Sequence, residues 1–499
     1  MRDDELRRLL IGANPWWDTV SSGCGPTAWT TSHRLLTARN TFDLGYRTDV
    51  LRDVATQPLT DSLIVLNGPR RIGKSVVLLD TIATMCGRED IDPRQLIHVP
   101  CDGMKDRDLR RVITLGRALT ASLDAHPRPT SPRDDGTVRR AWFFDEVSDV
   151  PGWTSVLKQA RDLTDFGGDT VVATGSRWSG NARIYGHLMA GRAGSAGWRR
   201  VRQLLPMSFR DYLAAAKPEL LRPEPVHPDQ LQSDQARHAL DALVFAVDHY
   251  DLAWQDYLTC GGFPRAVAEH TRTGAVSADF VADLVGWLRI DVDEDAPPES
   301  IPLMLGELAA RMTSPLNVTN LAEVLTYGSK NAASRRLDRL TNTHAAVRCH
   351  QRSDQGRIVA GSQHKLYLVD PVLAWAPSRI SAGLATPDFT RLNEAVLGVA
   401  LARRIDALDE GRWPADDTIG YARTASGGEV DLAPVRVPTT SGSAWTTPIE
   451  SKWVDTQWQG EARTLNGRYG CGILATKSVL DLDGPVWAVP APLLALLLE

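Results

Sequence analysis

The stretch that most constrains this chain is "SLIVLNGPRRIGKSVVLLDTIATM", residues 62–85. An apolar run, Leu63 to Leu66, predicts a buried strand, and the apolar periodicity after Ser75 predicts a helix. Between them lies Gly68-Pro69-Arg70-Arg71-Ile72-Gly73-Lys74-Ser75-Val76. Glycines at both ends of such a loop let backbone N–H groups converge on phosphates. Lys74 then reaches the outer phosphates, and the Ser75 hydroxyl is placed to ligate magnesium. A strand before and a helix after are what these mechanics require, so a P-loop that takes ATP with Mg2+ is predicted, on a parallel α/β core.

A phosphate loop needs a second magnesium carboxylate on a neighbouring strand. "RRAWFFDEVSDVPGW" supplies four apolar residues ending in Asp145 and Glu146. Asp145 would hold the magnesium through water, and Glu146 would orient or deprotonate the attacking water. An Asp–Glu pair also suits a helix start, but its position at the end of an apolar run favours catalysis. "DTVVATGSRWSG" predicts another strand, ending in Thr174 and Ser176, whose hydroxyls would sense the outer phosphate or position the water; strands also end in Thr-Gly turns for local reasons. Downstream, Arg192 is either an arginine finger acting across a subunit boundary or a surface arginine.

Length extends the chain beyond one core: at roughly one domain per 150 residues, 499 residues suggest about three. A net charge of -5 gives no whole-chain reason to bind nucleic acid, so any such contact needs a local basic face. Cys24, Cys86, Cys101, Cys260, Cys349 and Cys471 show no paired or zinc spacing and are expected to be buried, reduced thiols. No apolar run approaches the roughly 18 residues of a membrane span, and the charged start "MRDDELRRLL" is unlike a signal peptide, so no membrane partner and a cytoplasmic location are expected.

The proline-rich stretches at 126–137 and 217–230 mark breaks. They divide the chain into a lead-in at 1–60 that packs on the core, an ATPase-type core at 61–215, a helical lid or linker at 216–300, and two further modules at 301–375 and 385–499. In the first of these modules, "IPLMLGELAARM", "VTNLAEVL" and "KNAASRRLDRLTN" predict three helices with helix-turn-helix organisation, followed by candidate wing strands. Lys330, Arg335, Arg336 and Arg339 on the third helix would meet DNA phosphates or bases, although charges on a helix are also its ordinary solvated face.

The last module brings four residues into one order. Glu394 shares a helical stripe with Leu397, Leu401 and Ile405. Glu429 and Asp431 share a strand face by alternation, as do Glu450 and Lys452 in "PIESKW". Carboxylates Glu394, Asp431 and Glu450 would hold a magnesium ion, with Lys452 stabilising charge on a phosphodiester under attack. An E-x-K on a strand is also a common surface ion pair.

Taken in order, "NPWW", "GPRRIGKS", "FFDEVSDVPGWTSVLKQARD", "TGSRWSG", "LLPMSFRDYL", "YLTCGGFPRAV", "KLYLVDPVLAW" and "GGEVDLAPV" with "PIESKW" resemble the prokaryotic AAA-type ATPases that carry a winged helix and a C-terminal PD-(D/E)XK restriction-endonuclease-like domain. Val430 stands where that motif has proline, which is not a ligand. The resemblance implies an α/β fold: a P-loop core with a parallel sheet, a helical lid, a winged helix and an α/β endonuclease-like domain. It also implies ATP, Mg2+, and self-association or a partner protein completing the ATP site. Two functions follow as expectations. One is an ATPase that binds DNA and couples ATP to a magnesium-dependent nuclease, in defence or toxin-like roles. The other is a nucleotide-controlled interaction switch whose C-terminal modules bind a partner without cleavage.

Overall fold

The computed structural model describes residues 1–18, 25–126, 133–134, 137–176, 188–189, 194, 197–293, 297–325, 329–382, 388–413, 415–424 and 427–499. They form two compact units. The first is Met1–Asp43 with Arg47–Leu204, and the second is Leu44–Tyr46 with Leu205–Glu499. The break at Leu204 falls ahead of residue 215, where the sequence reading closed the core.

The first unit is built on a five-stranded parallel sheet of β1 (Leu63–Asn67), β2 (Leu96–Pro100), β3 (Ala141–Asp145), β4 (Thr170–Gly175) and β5 (Val201–Gln203), in the order β2-β3-β4-β1-β5. Its strands are apolar runs rather than alternating patterns because helices cover a parallel sheet on both faces. Helices α1 (Asp3–Ala13), α2 (Lys74–Cys86), α3 (Asp106–Leu119) and α4 (Trp153–Leu163) belong to this unit. Leu6, Val65, Ile97, Val112, Phe144 and Leu157 share its core. Gly116 on α3 is a close-approach glycine: a Cβ there would lie 2.7 Å from the Trp142 ring.

Strand β2 ends the sheet, and "NPWW" covers its open edge. The Asn14 side chain donates to His98 O at 2.9 Å and accepts from His98 N at 2.6 Å, as a neighbouring strand would. The indoles of Trp16 and Trp17 both donate to Leu96 O at 3.0 Å. An unpaired edge invites intermolecular pairing; here side chains close it.

In the second unit, α5 (Phe209–Ala216), α6 (Val247–Cys260), α7 (Pro264–Thr273) and α8 (Ala278–Asp293) precede α9 (Ser300–Ala310), α10 (Val318–Val324) and α11 (Lys330–Asn342). An antiparallel pair follows, β6 (Ala346–Arg352) with β7 (His364–Leu368). After α12 (Pro371–Ala382) and α13 (Phe389–Leu408), strands β8 (Ile419–Arg423) and β9 (Glu429–Val430) pair with each other, and β8 also runs parallel to β6. The sheet order is therefore β9-β8-β6-β7. The segments separated by sequence at 301–375 and 385–499 thus share one sheet, because the edge of β6 away from β7 is filled by β8. A second, parallel sheet holds β10 (Ile449–Ser451), β11 (Gly472–Thr476) and β12 (Val486–Pro490), with α14 (Arg463–Tyr469) before β11 and the buried α15 (Ala491–Leu498) after β12. An antiparallel bridge, Leu432 with Ile449, joins the two sheets.

Three of the sequence motifs meet at a structural junction in this unit. Met207 N donates to Gly262 O, and Gly262 N donates to the buried Asp370 Oδ2, each at 2.7 Å. A Cβ at Gly262 would lie 2.1 Å from Met207 O, so "PMSF" and "CGGFP" approach too closely for any side chain there. Burial pushes the Asp370 carboxyl up, to about 6, against the backbone N–H groups of Gly262 and Val372.

Among the described residues no helix is long and apolar enough to cross a membrane. Cys86, Cys101, Cys260 and Cys349 are buried free thiols, but Cys471 is exposed, contrary to the expectation for all six; Cys24 lies outside the described residues.

Candidate functional site

The phosphate loop begins where β1 ends. A Cβ at Gly68 would sit 2.1 Å from Leu204 O, so the chain leaves β1 pressed against the backbone that follows β5. Gly73 then takes φ 100°, which glycine adopts at little cost, and α2 starts at Lys74. Ile72 is buried inside the loop, Pro69 is buried beneath it, and Arg71 is exposed with φ 62°. Arg70 reaches Asp149 at 3.4 Å, and Val76 is half-buried in the first turn of α2.

Lys74 is almost wholly buried. Its Nζ donates to Gly68 O at 3.0 Å and to Pro69 O at 3.1 Å, and it pairs with Glu146 Oε1 at 3.1 Å. The loop's own carbonyls and Glu146 satisfy the ammonium. The carboxylates come from the end of β3, which lies next to β2 and β4. Thr174 at the end of β4 donates to Asp145 Oδ1 at 2.9 Å and accepts the backbone N–H of Glu146 at 2.9 Å. Ser176 donates to Glu146 Oε2 at 3.1 Å. Glu146 has φ 53°, an unfavourable region for a side chain, and these two hydroxyls hold it there. Thr174 and Ser176 therefore hold Asp145 and Glu146, where the sequence suggested phosphate sensing or positioning of the water.

Burial pushes the Asp145 pKa up, but His98, Ser75 and Thr174 outweigh it and hold the carboxyl below its ordinary value. His98 Nε2 lies 3.8 Å from Asp145 Oδ2. Burial, with Asp145, Glu146 and Asp149 nearby, pushes Asp102 up. His98 and Asp102 were missed in the sequence; the only local signal was a histidine within the apolar run of β2 and an aspartate just beyond its end.

Among the described residues no three carboxylate, imidazole or thiolate groups converge as a metal-holding set. A magnesium ion carried on ATP needs none, since phosphate and water oxygens supply most of its ligands. Ser75 reaching Asp145 is the pairing such an ion requires, and these residues fit it. Arg192 lies outside the described residues.

The C-terminal residues assemble differently from the order read in the sequence. Glu394 lies on α13, which is buried all round from Leu392 to Ala402 rather than along one stripe. At its centre stands a residue the sequence reading passed over, Lys365 on β7, with no exposed surface. Its Nζ lies 2.8 Å from Glu394 Oε1, 2.7 Å from Glu429 Oε1 and 2.9 Å from Asp431 Oδ1. Burial alone would lower the Lys365 pKa; the three carboxylates raise it well above its ordinary value. Burial, with Asp431 beside it, pushes Glu394 up, to about 8, against Lys365 and the Tyr367 hydroxyl, which donates to it at 2.7 Å. Glu450 pairs with Lys452 at 3.2 Å, and burial, with Asp431 nearby, pushes it up, to about 7, against Lys452. Of the three residues expected to hold magnesium, Glu394 and Asp431 share the Lys365 ammonium and Glu450 pairs with Lys452.

On α11, Arg336 Nε donates to Asp293 at 2.6 Å and Arg339 donates to Val292 O at 2.9 Å, so both are tied to α8. Lys330 and Arg335 differ: both are exposed.

Residues 60–213 match the AAA domain family, and residues 251–383 match a domain of unknown function, DUF8612. A Haemophilus influenzae protein described as uncharacterized is 21% identical over 371 residues, 73% of this chain and 80% of that one. Among solved structures, a Walker-type ATPase of Pyrococcus abyssi is 14% identical, with a TM-score of 0.36, over 63% of this chain and 91% of its own. The Orc1 protein of Aeropyrum pernix, solved in complex with DNA, is 14% identical, with a TM-score of 0.27, over 70% of this chain and 94% of its own. The family match covers the loop, both carboxylates and the sheet that brings them together. Residues 60–213 are an AAA-type P-loop ATPase domain.

Proposed function

We propose that the chain is an ATP-hydrolysing switch in which nucleotide exchanges places with an internal ion pair. The observation that carries this reading is Lys74, held by Gly68 O, Pro69 O and Glu146 Oε1. Phosphate oxygens offer the ammonium stronger, charge-assisted bonds than two carbonyls do. Lys74 turns to them and releases Glu146 Oε1, while Ser176 still holds Oε2. Glu146 then orients the attacking water and takes its proton, and Asp145, fixed by Thr174, faces the phosphate side with Ser75. Magnesium, when bound, would neutralise phosphate charge between Ser75 and Asp145.

In the second unit, the three helices and antiparallel pair support a winged-helix reading, and helix α13 followed by β8, β9 and β10 supports an endonuclease-like one. We assign both to partner recognition under nucleotide control. DNA remains a partner reading that rests on Lys330 and Arg335. Self-association completing the ATP site belongs to the same reading.

ATP turnover by the purified chain with magnesium tests the assignment. Lys74→Ala should lower turnover by roughly 100-fold or more, and Glu146→Gln should bind ATP yet turn it over slowly. Turnover unchanged in Lys74→Ala would overturn the reading.

A further inference from the structure

Lys365 donates to Glu394 at 2.8 Å and to Asp431 at 2.9 Å, and pairs with Glu429 at 2.7 Å. Each carboxylate has a further partner. Tyr367 donates to Glu394 at 2.7 Å, Arg423 to Glu429 at 2.9 Å, and Ser451 N to Asp431 Oδ2 at 3.0 Å. The network surrounds the ammonium, which itself has no exposed surface, while Glu429 at its rim is partly exposed. Its dimensions are those of N–H···O bonds, whereas magnesium draws its oxygens in to about 2.0–2.1 Å. Strand β7 delivers Lys365 to this centre from the sheet that β8 and β9 extend.

We infer that Lys365 is the resident cation of this acidic cluster: its ammonium fills the place where a divalent ion would bridge Glu394 and Asp431, so the C-terminal fold is held together by an internal salt network and does not use these carboxylates to cleave phosphodiesters. The cluster is then a joint, tying β7 to α13, β9 and β10. Glu450 and Lys452, outside the ammonium's reach, pair with each other. This inference is independent of the nucleotide reading, because it concerns residues of the second unit alone.

The test is titration of the nucleotide-free full chain with Mn2+ alone, counting bound ions from the loss of the free-ion paramagnetic resonance signal. Wild type and Asp431→Asn should bind the same number of ions. Lys365→Ala, if folded by circular dichroism, should gain one site at least tenfold tighter than any that wild type holds at the cluster, and Lys365→Ala/Asp431→Asn should lose it again. Wild type binding one more ion than Asp431→Asn overturns the inference, as does a folded Lys365→Ala without a new site. Should Lys365→Ala not fold, the comparison of wild type with Asp431→Asn still decides.

Discussion

The ammonium of Lys74 lies 3.1 Å from Oε1 of Glu146, so the residue that reaches for phosphate and the residue that orients water neutralise each other. Oppositely charged groups this close in a largely buried site are worth separating only for a stronger partner. The polyanionic end of a nucleotide is such a partner.

Thr174 should matter through Asp145 and Glu146 rather than through affinity. Thr174→Ala removes the hydroxyl that bridges Asp145 Oδ1 and Glu146 N. We expect kcat for ATP to fall about 10- to 100-fold, of the order seen when one polar positioning contact is lost, with KM changed only a few-fold. Thr174→Ser should restore most of the rate. Steady-state kinetics on the three proteins checks this, and equal loss in the serine variant would sink it.

Asn14 should be a stability residue. Its buried amide replaces a strand partner for His98, and Asn14→Ala leaves both His98 backbone groups unpaired. A cost of about 2–3 kcal/mol is expected from stranded buried polar groups, measured by urea unfolding of the first unit's transition. Because β2 is then an open edge, aggregation on heating should also rise.

Stability of the second unit should fall as pH rises from about 5 to about 8. Glu394 is raised to about 8 and Glu450 to about 7 from 4.5. Between those values the folded chain holds protons the unfolded chain has released, so stability present at low pH is lost as pH climbs through the folded pKa values. Glu394→Gln should flatten the upper part of that slope. Thermal melts across the window, with a shift on the order of 5 °C, would show it; a melting point rising with pH in wild type would contradict it.

The charges of α11 should separate by role. If DNA is a partner, Lys330→Ala and Arg335→Ala should each weaken binding and lower the salt slope by about one. Arg336→Ala should instead lower thermal stability, because its guanidinium is engaged with Asp293. Binding isotherms at several salt concentrations, beside melts, distinguish the two.

The sequence by itself determined the nucleotide core. Strand, loop and helix at 62–85, and an apolar run ending in Asp145-Glu146, are local patterns whose chemistry depends on neighbours in the chain. What placed Thr174 and Ser176 beneath those carboxylates was strand order: β4 lies between β3 and β1, and no local pattern states which strands adjoin. The C-terminal cluster was legible only in part. Alternation put Glu429 and Asp431 on one face, and both do reach the same ammonium. The ammonium itself belongs to Lys365, 64 residues before Glu429 and in a segment assigned to a different module. Only the pairing of β8 with β6 brings them together. A buried charge is decided by whichever opposite charge the fold delivers to it, and that delivery is a tertiary event; in "PIESKW" the sequence named Glu450 and Lys452, while the structure set them beside the acidic centre rather than within it.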